Sequence, residues 1–366
     1  MTVVPALYEF CMCIMNFIKH DLLPEMVHNR CFCESGSREF VEFHLATVEP
    51  LIQSGKTPNS CEIYRANVIV NFSGDPHSFP LIVKLLRNVT DHETAAFDAF
   101  QNEEMFYSKM TLTYGRDFTP KCYLSDLGRY GRPVIVLEDL EVHGYQRLNG
   151  KLDEDHLKLC VKLLATIHGR GLKLKSEKFV LFLTFILEIS NLLTSLSESK
   201  TIEKIQNKLG DRPLDTVRKL AFDINEQSTL CHGHFSMDNL LFKYENEKPI
   251  EMKVIDWQTI RYSSPAIDLG PLLLDNVTFE SFTSRMHELL SLYTSSVQHE
   301  YPEIEDSRLK ADIIRKLPYA CLILSDEETT TDEQLLQVLL RLQLLGIPAT
   351  RRQSVHEFFV AAQRTG

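Results

Sequence analysis

Residues 230–258 read LCHGHFSMDNLLFKYENEKPIEMKVIDWQ and contain the most informative polar positions of the chain. Two strand-like runs, Leu240–Lys243 and Met252–Ile255, flank the polar segment Tyr244–Glu251, a pattern typical of an antiparallel hairpin. Pairing the runs across this turn sets Asn239 opposite Asp256, with Cα atoms about 4.5–5.5 Å apart. An amide oxygen and a carboxylate at that separation suit a hard cation such as Mg²⁺. A one-residue slip in the assumed register would separate them.

Both polar residues also have an ordinary structural explanation. Asn239 can cap a turn, and Asp256 can end a strand, as Asp commonly does. Their surroundings favour chemistry, because Asn239 closes the pattern His-Gly-x5-Asn and Asp256 lies directly before Trp257, the only tryptophan. We therefore treat Asn239 and Asp256 as candidate metal ligands.

The composition is that of a globular protein with an acidic balance. The chain has 366 residues, of which 44% are hydrophobic and 24% charged. At ~150 residues per domain, this length predicts about two units, and the composition excludes a disordered, collagen-like or disulfide-rich miniprotein. Lys and Arg total 39 against 50 Asp and Glu, a net charge of −11. This balance argues against binding of the whole chain to nucleic acid or to an anionic membrane.

The cysteines and the apolar segments predict the compartment. Nine cysteines, an odd number without regular spacing, indicate free thiols in a reducing compartment. The apolar N-terminal stretch contains Glu9 and lacks the basic region of a signal peptide. The longest apolar run, Phe179–Leu187, is shorter than the about 20 residues that a membrane-spanning helix needs. We expect a cytoplasmic protein that does not bind a membrane.

The pattern of apolar residues changes near residue 141. Before it, strand-like runs surround one helical stretch, Ala95–Met110. The runs are Cys61–Phe72, Pro80–Leu86, Cys122–Ser125 and Val134–Glu138. After it, apolar residues recur with the helical period, interrupted by the hairpin described above. These helical stretches are Leu157–His168, Phe179–Leu196, Leu214–Ile224, Phe279–Val297, Leu335–Leu345 and Val355–Ala362. We predict an α+β fold with a strand-rich N-terminal part and a mainly helical C-terminal part.

A lysine inside an apolar strand is the second chemical signal. Lys84 lies in the run LIVKLL, where a lone charge needs a partner, and Glu103 and Glu104 lie on the following helix. Phosphoryl transfer requires a cation for the nucleotide phosphates, and protein kinases present it as a strand lysine paired with a helix glutamate. A solvent-facing lysine on an edge strand is the structural alternative.

Together these elements resemble the ecdysteroid kinase-like, choline-kinase-like family of the aminoglycoside phosphotransferase fold. The matching segments occur in order over about residues 60–275 and include LIVK, FQNEEMFY, VIVLEDL, LLATIHG, His-Gly-x5-Asn, VIDWQ and YSSPAIDL. The resemblance implies a bilobal protein-kinase-like fold, with an N-lobe over residues 1–141, a hinge at 138–141 and a helical C-lobe over residues 142–366. It also implies ATP and Mg²⁺ as cofactors and a small-molecule alcohol as acceptor, either ecdysteroid-like or choline-like.

The resemblance also implies a role for individual residues. Lys84 corresponds to the phosphate-binding lysine and Glu103 to its helix partner. The hinge, from Glu138 to Leu140, would read adenine through backbone groups. Asn239 and Asp256 correspond to the metal ligands, in agreement with the hairpin argument. Asp268 corresponds to the structural aspartate that supports the catalytic loop.

Two positions depart from the family pattern. The family has Asp directly after His-Gly, at the position that orients the acceptor hydroxyl, and this chain has His234. Histidine can accept a proton at neutral pH, but it brings no negative charge. General-base help is typically worth 10²–10⁴ in rate, so a slow kinase is compatible with its loss. In the phosphate-covering loop, SGKTPNSCEIYR offers the single glycine Gly55, with Ser60 and Cys61 near the family's Gly and Ser.

Two alternatives remain open from the sequence. Because of His234, the protein is either an active small-molecule kinase or an inactive pseudokinase or nucleotide-binding scaffold. A remote alternative is a metal hydrolase using His232 and His234 with Asp238 or Asp256, since His and carboxylate ligands suit Zn²⁺. It leaves Lys84 unexplained.

Overall fold

The computed structural model describes residues 11–51, 61–87, 94–189, 223–276 and 282–324. The chain divides into two compact units. The first unit comprises Met1–Gln146 together with Lys253–Gln258, and the second comprises Arg147–Met252 and Thr259–Gly366. Within the described ranges, no helix combines the length and apolar character needed to cross a membrane.

The first unit is built on a five-stranded sheet with the order β1-β2-β3-β5-β4. Its strands are Val41–Pro50 (β1), Cys61–Phe72 (β2), Asp75–Leu86 (β3), Cys122–Asp126 (β4) and Val134–Glu138 (β5), followed by the short Tyr145–Gln146 (β6). All neighbouring pairs in this sheet are antiparallel. Ser73 and Gly74 join β2 to β3 with positive φ angles of 53° and 98°, as the twist of a two-residue hairpin turn requires.

Helices cover this sheet. They are Leu23–His28 (α1), Thr94–Met105 (α2) and Thr111–Tyr114 (α3), and π-helical turns at Ile18–Leu22 and Phe106–Met110 precede α1 and α3. Alternate residues of β2 and β3, such as Val68, Val70 and Val83, are fully buried in one apolar cluster with the N-terminal helical residues. Each such side chain contributes about 1.5–3 kcal/mol through burial. This core fixes the central strand β3, which carries Lys84.

The second unit is mainly helical. Its helices are Glu154–Glu177 (α4), Phe179–Ile189 (α5), Ala266–Asn276 (α6), Phe282–Glu300 (α7) and Asp306–Leu324 (α8). Asp153 caps α4 by accepting the His156 N–H at 3.0 Å, which satisfies one of the amides without an intrahelical acceptor. The remaining strands are Thr229–Cys231 (β7), Leu240–Glu245 (β8), Lys248–Val254 (β9) and Arg261–Ser263 (β10), of which β7 and β10 pair antiparallel.

The predicted α+β class, with a strand-rich N-terminal part and a helix-rich C-terminal part, is confirmed. The elements that were not predicted are strands β1, β6, β7 and β10 and helices α1, α3, α6 and α8. The predicted helical stretches at 335–345 and 355–362, and parts of those at 179–196, 214–224 and 279–297, lie outside the described residues.

The predicted hairpin is present, but its turn is shorter than predicted. The strands β8 and β9 are hydrogen-bonded neighbours, and the turn between them consists of Asn246 and Glu247, with φ angles of 49° and 64°. A two-residue turn of this type places Glu245 opposite Lys248, two positions from the assumed register. Strand β9 also ends at Val254, before Asp256. The register argument for opposing Asn239 and Asp256 therefore fails.

Candidate active site

Lys84 lies in the centre of the first unit's sheet. Its backbone is paired on β3 with Ile63 of β2 and Ile135 of β5, and its side chain is 9% exposed. The ammonium donates a short hydrogen bond to Glu103 and a second one to Asp256 Oδ1 at 2.7 Å. The structure therefore brings Lys84 and Glu103 together and adds Asp256 as a third member of the same cluster.

The two carboxylates keep this lysine charged. Burial alone would lower the pKa of the Lys84 ammonium, but the negative charges of Asp256 and Glu103 raise that pKa above its ordinary value. Glu103 is almost fully buried, and burial raises the pKa of its carboxyl against the opposing effect of Lys84. Because the Asp256 side chain is 37% exposed, the cluster has one member that solvent or a ligand can reach.

Asp256 is held at the end of β9 by its local backbone and neighbours. Its φ is +67°, a left-handed conformation that Asp tolerates better than most residues. Gln258 Nε2 donates to Asp256 Oδ1 at 2.7 Å. The next residue, Trp257, is buried and stacks on Phe106 with ring centroids 3.9 Å apart. These contacts anchor the chain directly after Asp256 and hold its carboxylate next to Lys84.

Glu138 and Leu140 lie where β5 ends. Glu138 is the last residue of the strand, and Leu140 is the first residue of a 3₁₀ turn that runs to His143. Asp139 between them is buried, and its side chain accepts the Glu141 N–H at 3.0 Å and the Arg65 Nε at 2.7 Å. The backbone of this segment is therefore fixed by buried polar contacts.

In the second unit, a buried carboxylate supports the His-Gly turn. Asp268 accepts the Gly233 N–H at 2.8 Å through Oδ1 and the His232 N–H at 2.7 Å through Oδ2. His168 Nε2 lies 3.1 Å from the same Oδ2, and the other ring nitrogen of His168 lies 2.8 Å from the Tyr293 hydroxyl. Burial alone would raise the pKa of the Asp268 carboxyl, but the hydrogen bond and charge of His168, with the other donors, hold it below its usual value.

Only glycine fits after His232. Gly233 has φ of +84°, and a Cβ there would lie 2.0 Å from the Thr259 carbonyl oxygen and 2.7 Å from Arg261 Nε. Residues with a side chain rarely adopt this φ, and a Cβ 2.0 Å from a carbonyl oxygen would require the backbone to move. The glycine of the motif is therefore explained by close backbone approach.

His234 and Asn239 lie on the loop that follows. The His234 side chain is exposed, its N–H donates to His232 Nδ1 at 3.2 Å, and its carbonyl accepts from Asn239 Nδ2 at 3.0 Å. Asn239 is 4% exposed and ends a 3₁₀ turn. Because the amide nitrogen of Asn239 is engaged, its amide oxygen is directed away from this contact and is the group suited to a hard cation.

The histidines differ too much to form the His-x-His zinc site considered above. His232 is fully buried and its Nδ1 accepts a backbone N–H, whereas His234 is exposed. Among the described residues, one cluster has metal-like spacing, with His168, Cys231 and Asp268 offering atoms within 4.8 Å of one another. Both nitrogens of His168 and both oxygens of Asp268 already have protein partners, which indicates a structural network.

The sequence did not identify His168 or Tyr293 as supporting residues. His168 belongs to the segment LLATIHG, which signalled a family element but not a contact with Asp268. Tyr293 lies on α7, 125 positions from His168, and no local pattern marks such a partner.

A model of the ecdysteroid kinase-like family matches residues 60–191 and 181–304, which together span more than half of the chain. The chain belongs to the ecdysteroid kinase-like family. The matched range of this ecdysteroid kinase-like protein includes Lys84, Glu103, Asn239, Asp256 and Asp268.

Solved structures with detectable similarity are distant. A mutant of aminoglycoside 2′-phosphotransferase-IIIa in complex with GDP is 15% identical, with a TM-score of 0.43, and the match covers 88% of this chain and 95% of that one. A microcompartment-associated aminopropanol kinase is 12% identical, with a TM-score of 0.42 and coverage of 82% and 90%. The ethanolamine kinase of Plasmodium vivax is 12% identical, with a TM-score of 0.40 and coverage of 82% of both chains. No curated protein matches the sequence.

Proposed function

We propose that this ecdysteroid kinase-like protein is an ATP- and Mg²⁺-dependent phosphotransferase acting on a hydroxyl group of a small molecule. The observation that carries the proposal is the cluster of Lys84 with Glu103 and Asp256. Phosphoryl transfer needs little covalent chemistry from the protein and depends on positioning and charge neutralisation. A buried lysine that stays charged, next to a partly exposed carboxylate, is suited to positioning phosphates and neutralising their charge.

Lys84 is the proposed phosphate-binding cation. Glu103 holds the ammonium from the buried side, so the lysine cannot turn into the core or toward solvent without losing a buried ion pair. An ammonium carries three donors, and Glu103 and Asp256 each accept one of them. One donor is therefore left for a phosphate oxygen while Glu103 stays bound.

The residue set fits a magnesium ion by its chemistry. Asp256 offers a carboxylate in the first unit and Asn239 an amide oxygen in the second, and Mg²⁺ prefers oxygen ligands. Their pairing in one ion site is the assignment that the family motif implies. Bound Mg²⁺ supplies neutralisation of the charge on the nucleotide phosphates.

His234 occupies the position that orients the acceptor hydroxyl. Its imidazole is exposed on the loop whose backbone Asp268 fixes through its two neighbours, His232 and Gly233. A neutral imidazole accepts a hydrogen bond or a proton from an alcohol. It adds no negative charge, so we expect a lower rate than with a carboxylate. The acceptor is an alcohol of the ecdysteroid-like or choline-like class.

The proposal is tested by nucleotide binding and turnover. MgATP should raise the thermal midpoint of the wild-type protein and bind with an affinity that calorimetry can measure, and ATP should be consumed with one acceptor of a panel of steroid alcohols and amino alcohols. Asp256→Ala should abolish the magnesium-dependent part of ATP binding. Asp75→Asn, which removes an exposed carboxylate at the start of β3, is the control. Unchanged MgATP affinity in Asp256→Ala would refute the metal assignment.

A catalytically inactive nucleotide-binding scaffold is the second candidate, and His234 is the observation that favours it. Such a protein keeps the Lys84 cluster and binds MgATP but transfers no phosphate. The two candidates give the same binding result and opposite turnover results, so the acceptor panel separates them.

A further inference from the structure

The hinge segment, residues 138–141, leaves few backbone groups for a ligand. The N–H groups of Glu138 and Asp139 donate to carbonyl oxygens of adjacent chain segments at 2.9 and 3.0 Å. The Glu141 N–H donates to the Asp139 carboxylate at 3.0 Å. The Leu140 N–H starts the 3₁₀ turn, where an amide has no acceptor within its own helix. In the described part of the chain, Leu140 therefore supplies the amide of this segment that is left to donate to a ligand.

The backbone carbonyl of Glu138 also lacks its expected strand hydrogen bond, because the Glu138 side chain accepts that bond instead. At the hydrogen-bonded positions of an antiparallel pair, the two opposed residues exchange two N–H···O=C bonds. Glu138 donates its N–H to the Lys121 carbonyl at 2.9 Å, but the Lys121 N–H donates to the Glu138 carboxylate Oε1 at 2.8 Å instead of to the Glu138 carbonyl. The carboxylate thus takes the hydrogen bond that would otherwise occupy the Glu138 carbonyl oxygen.

The two groups form an ordered pattern, an acceptor at Glu138 and a donor two residues later at Leu140. Adenine offers the complementary pattern, because its 6-amino group donates and its adjacent ring nitrogen accepts. Guanine offers the reverse, with a carbonyl oxygen and a ring N–H at the corresponding positions. A Glu138 carbonyl that also accepted the Lys121 N–H would keep a second lone pair, but its oxygen would be shared and directed to Lys121. Its hydrogen bond to a 6-amino group, and with it the preference for a 6-amino purine, would be weaker.

We propose that the Glu138 carboxylate is a positioning residue for nucleobase selection, which keeps the Glu138 carbonyl free for the 6-amino group by accepting the Lys121 N–H. This inference rests on the proposed ATP-dependent function and adds to it a role for a side chain that the hinge assignment uses only through its backbone. The Arg65–Asp139 ion pair at 2.7 Å holds the next residue, so the segment does not depend on Glu138 alone for its position.

The test compares two nucleotides on three variants. Purine riboside triphosphate lacks the 6-amino group, so the ratio of its Kd to that of ATP isolates the contact with the Glu138 carbonyl. For wild type we expect ATP to bind about two- to twelvefold more tightly, which corresponds to one hydrogen bond of ~0.5–1.5 kcal/mol. In Glu138→Ala and Glu138→Met the ratio should fall toward one, because the Lys121 N–H turns to the Glu138 carbonyl and competes for it. In Glu138→Gln, whose amide oxygen still accepts, the ratio should stay at the wild-type value.

The comparison separates the outcomes. Glu138→Met keeps the volume of the side-chain stem and carries the test if the alanine variant does not fold. Glu49→Ala, which removes an exposed carboxylate from β1 of the same sheet, should leave the ratio unchanged. A ratio that persists in both Ala and Met variants would overturn the role of the carboxylate, as would a wild-type ratio of one. Failure of wild type to bind either nucleotide would instead overturn the proposed function, and this inference with it.

Discussion

Lys84 Nζ lies 2.7 Å from Asp256 Oδ1, although 172 positions separate the two residues along the chain. The contact is possible because the short segment Lys253–Gln258 belongs to the same compact unit as the N-terminal sheet. The proposed phosphate-binding lysine is therefore already bonded to the proposed metal ligand.

Removal of Lys84 should cost stability as well as binding. Lys84→Met leaves the buried Glu103 carboxylate without its cation, and breaking a buried pair on one side typically costs about 3–5 kcal/mol. Lys84→Met/Glu103→Leu should recover much of that loss, since it removes both buried charges. Both variants should fail to bind MgATP. The free energy of unfolding is measured in urea by the fluorescence of Trp257, the only tryptophan and a buried residue of the same unit.

Lys248→Met is the matched control for this series, because Lys248 is exposed on β9 and surface charges contribute little to stability. If the double variant is no more stable than Lys84→Met alone, the cost does not come from an unpaired Glu103.

Asp268→Asn should destabilise the second unit through the loop that carries His234. An amide side chain has one acceptor oxygen, so it cannot receive the N–H groups of both His232 and Gly233 and the ring of His168. We expect a loss of about 3 kcal/mol or more, measured by urea unfolding followed by far-UV circular dichroism.

The free energy of unfolding at acidic pH should show that Asp268 stabilises the fold through its negative charge. Because the folded-state pKa of Asp268 lies below its ordinary value, its contribution is present above the ordinary carboxyl pKa and is lost as the pH falls through the folded-state pKa. The difference in unfolding free energy between wild type and Asp268→Asn should thus be constant near pH 7 and shrink below about pH 4. A difference that does not change with pH would show that Asp268 does not act as a charged acceptor.

Gly233→Ala should be much more harmful than Gly131→Ala. The two glycines have nearly the same φ, +84° and +82°, so both alanines pay about 1–2 kcal/mol for the left-handed conformation. A Cβ at Gly131 meets nothing within 4 Å, whereas one at Gly233 meets the Thr259 carbonyl at 2.0 Å. Thermal unfolding and ATP turnover of the two variants measure the difference. Equal effects would contradict the close backbone approach at Gly233.

The first unit shows what local patterns predict and where they stop. The strand pattern around Lys84 and the helical pattern around Glu103 are local signals, and the structure brings these two residues together. Asp256 was missed as the third partner because its left-handed backbone and its return to the N-terminal sheet depend on tertiary packing of Trp257. Alternation of apolar residues carries no such information.

The first part of β3 was not predicted, because it contains prolines. The sequence predicted a strand from Pro80, and the structure starts it at Asp75, through Pro76. Proline is normally excluded from a central strand because it cannot donate to the ladder. Pro80 lacks the N–H that would face Asp139, but Asp139 lies one residue beyond the end of β5 at Glu138, and the Pro80 carbonyl still accepts the Asp139 N–H at 3.0 Å. Pro80 is tolerated because β5 ends next to it, and the sequence of β3 carries no information on where β5 ends.

His234→Asp should raise phosphate transfer if the protein is a weakened kinase. The substitution restores a carboxylate at the hydroxyl-orienting position, and general-base help is typically worth 10²–10⁴ in rate. We expect turnover of the best acceptor to rise by at least tenfold, with MgATP affinity changed little, because the side chain at 234 is exposed. His234→Asn, which has a similar shape to Asp and no charge, is the matched control and should stay at or below the wild-type rate. Turnover that remains at zero in His234→Asp, with MgATP binding intact, would favour the inactive scaffold. An equal gain in His234→Asn would show that the negative charge of the carboxylate does not cause the increase in rate.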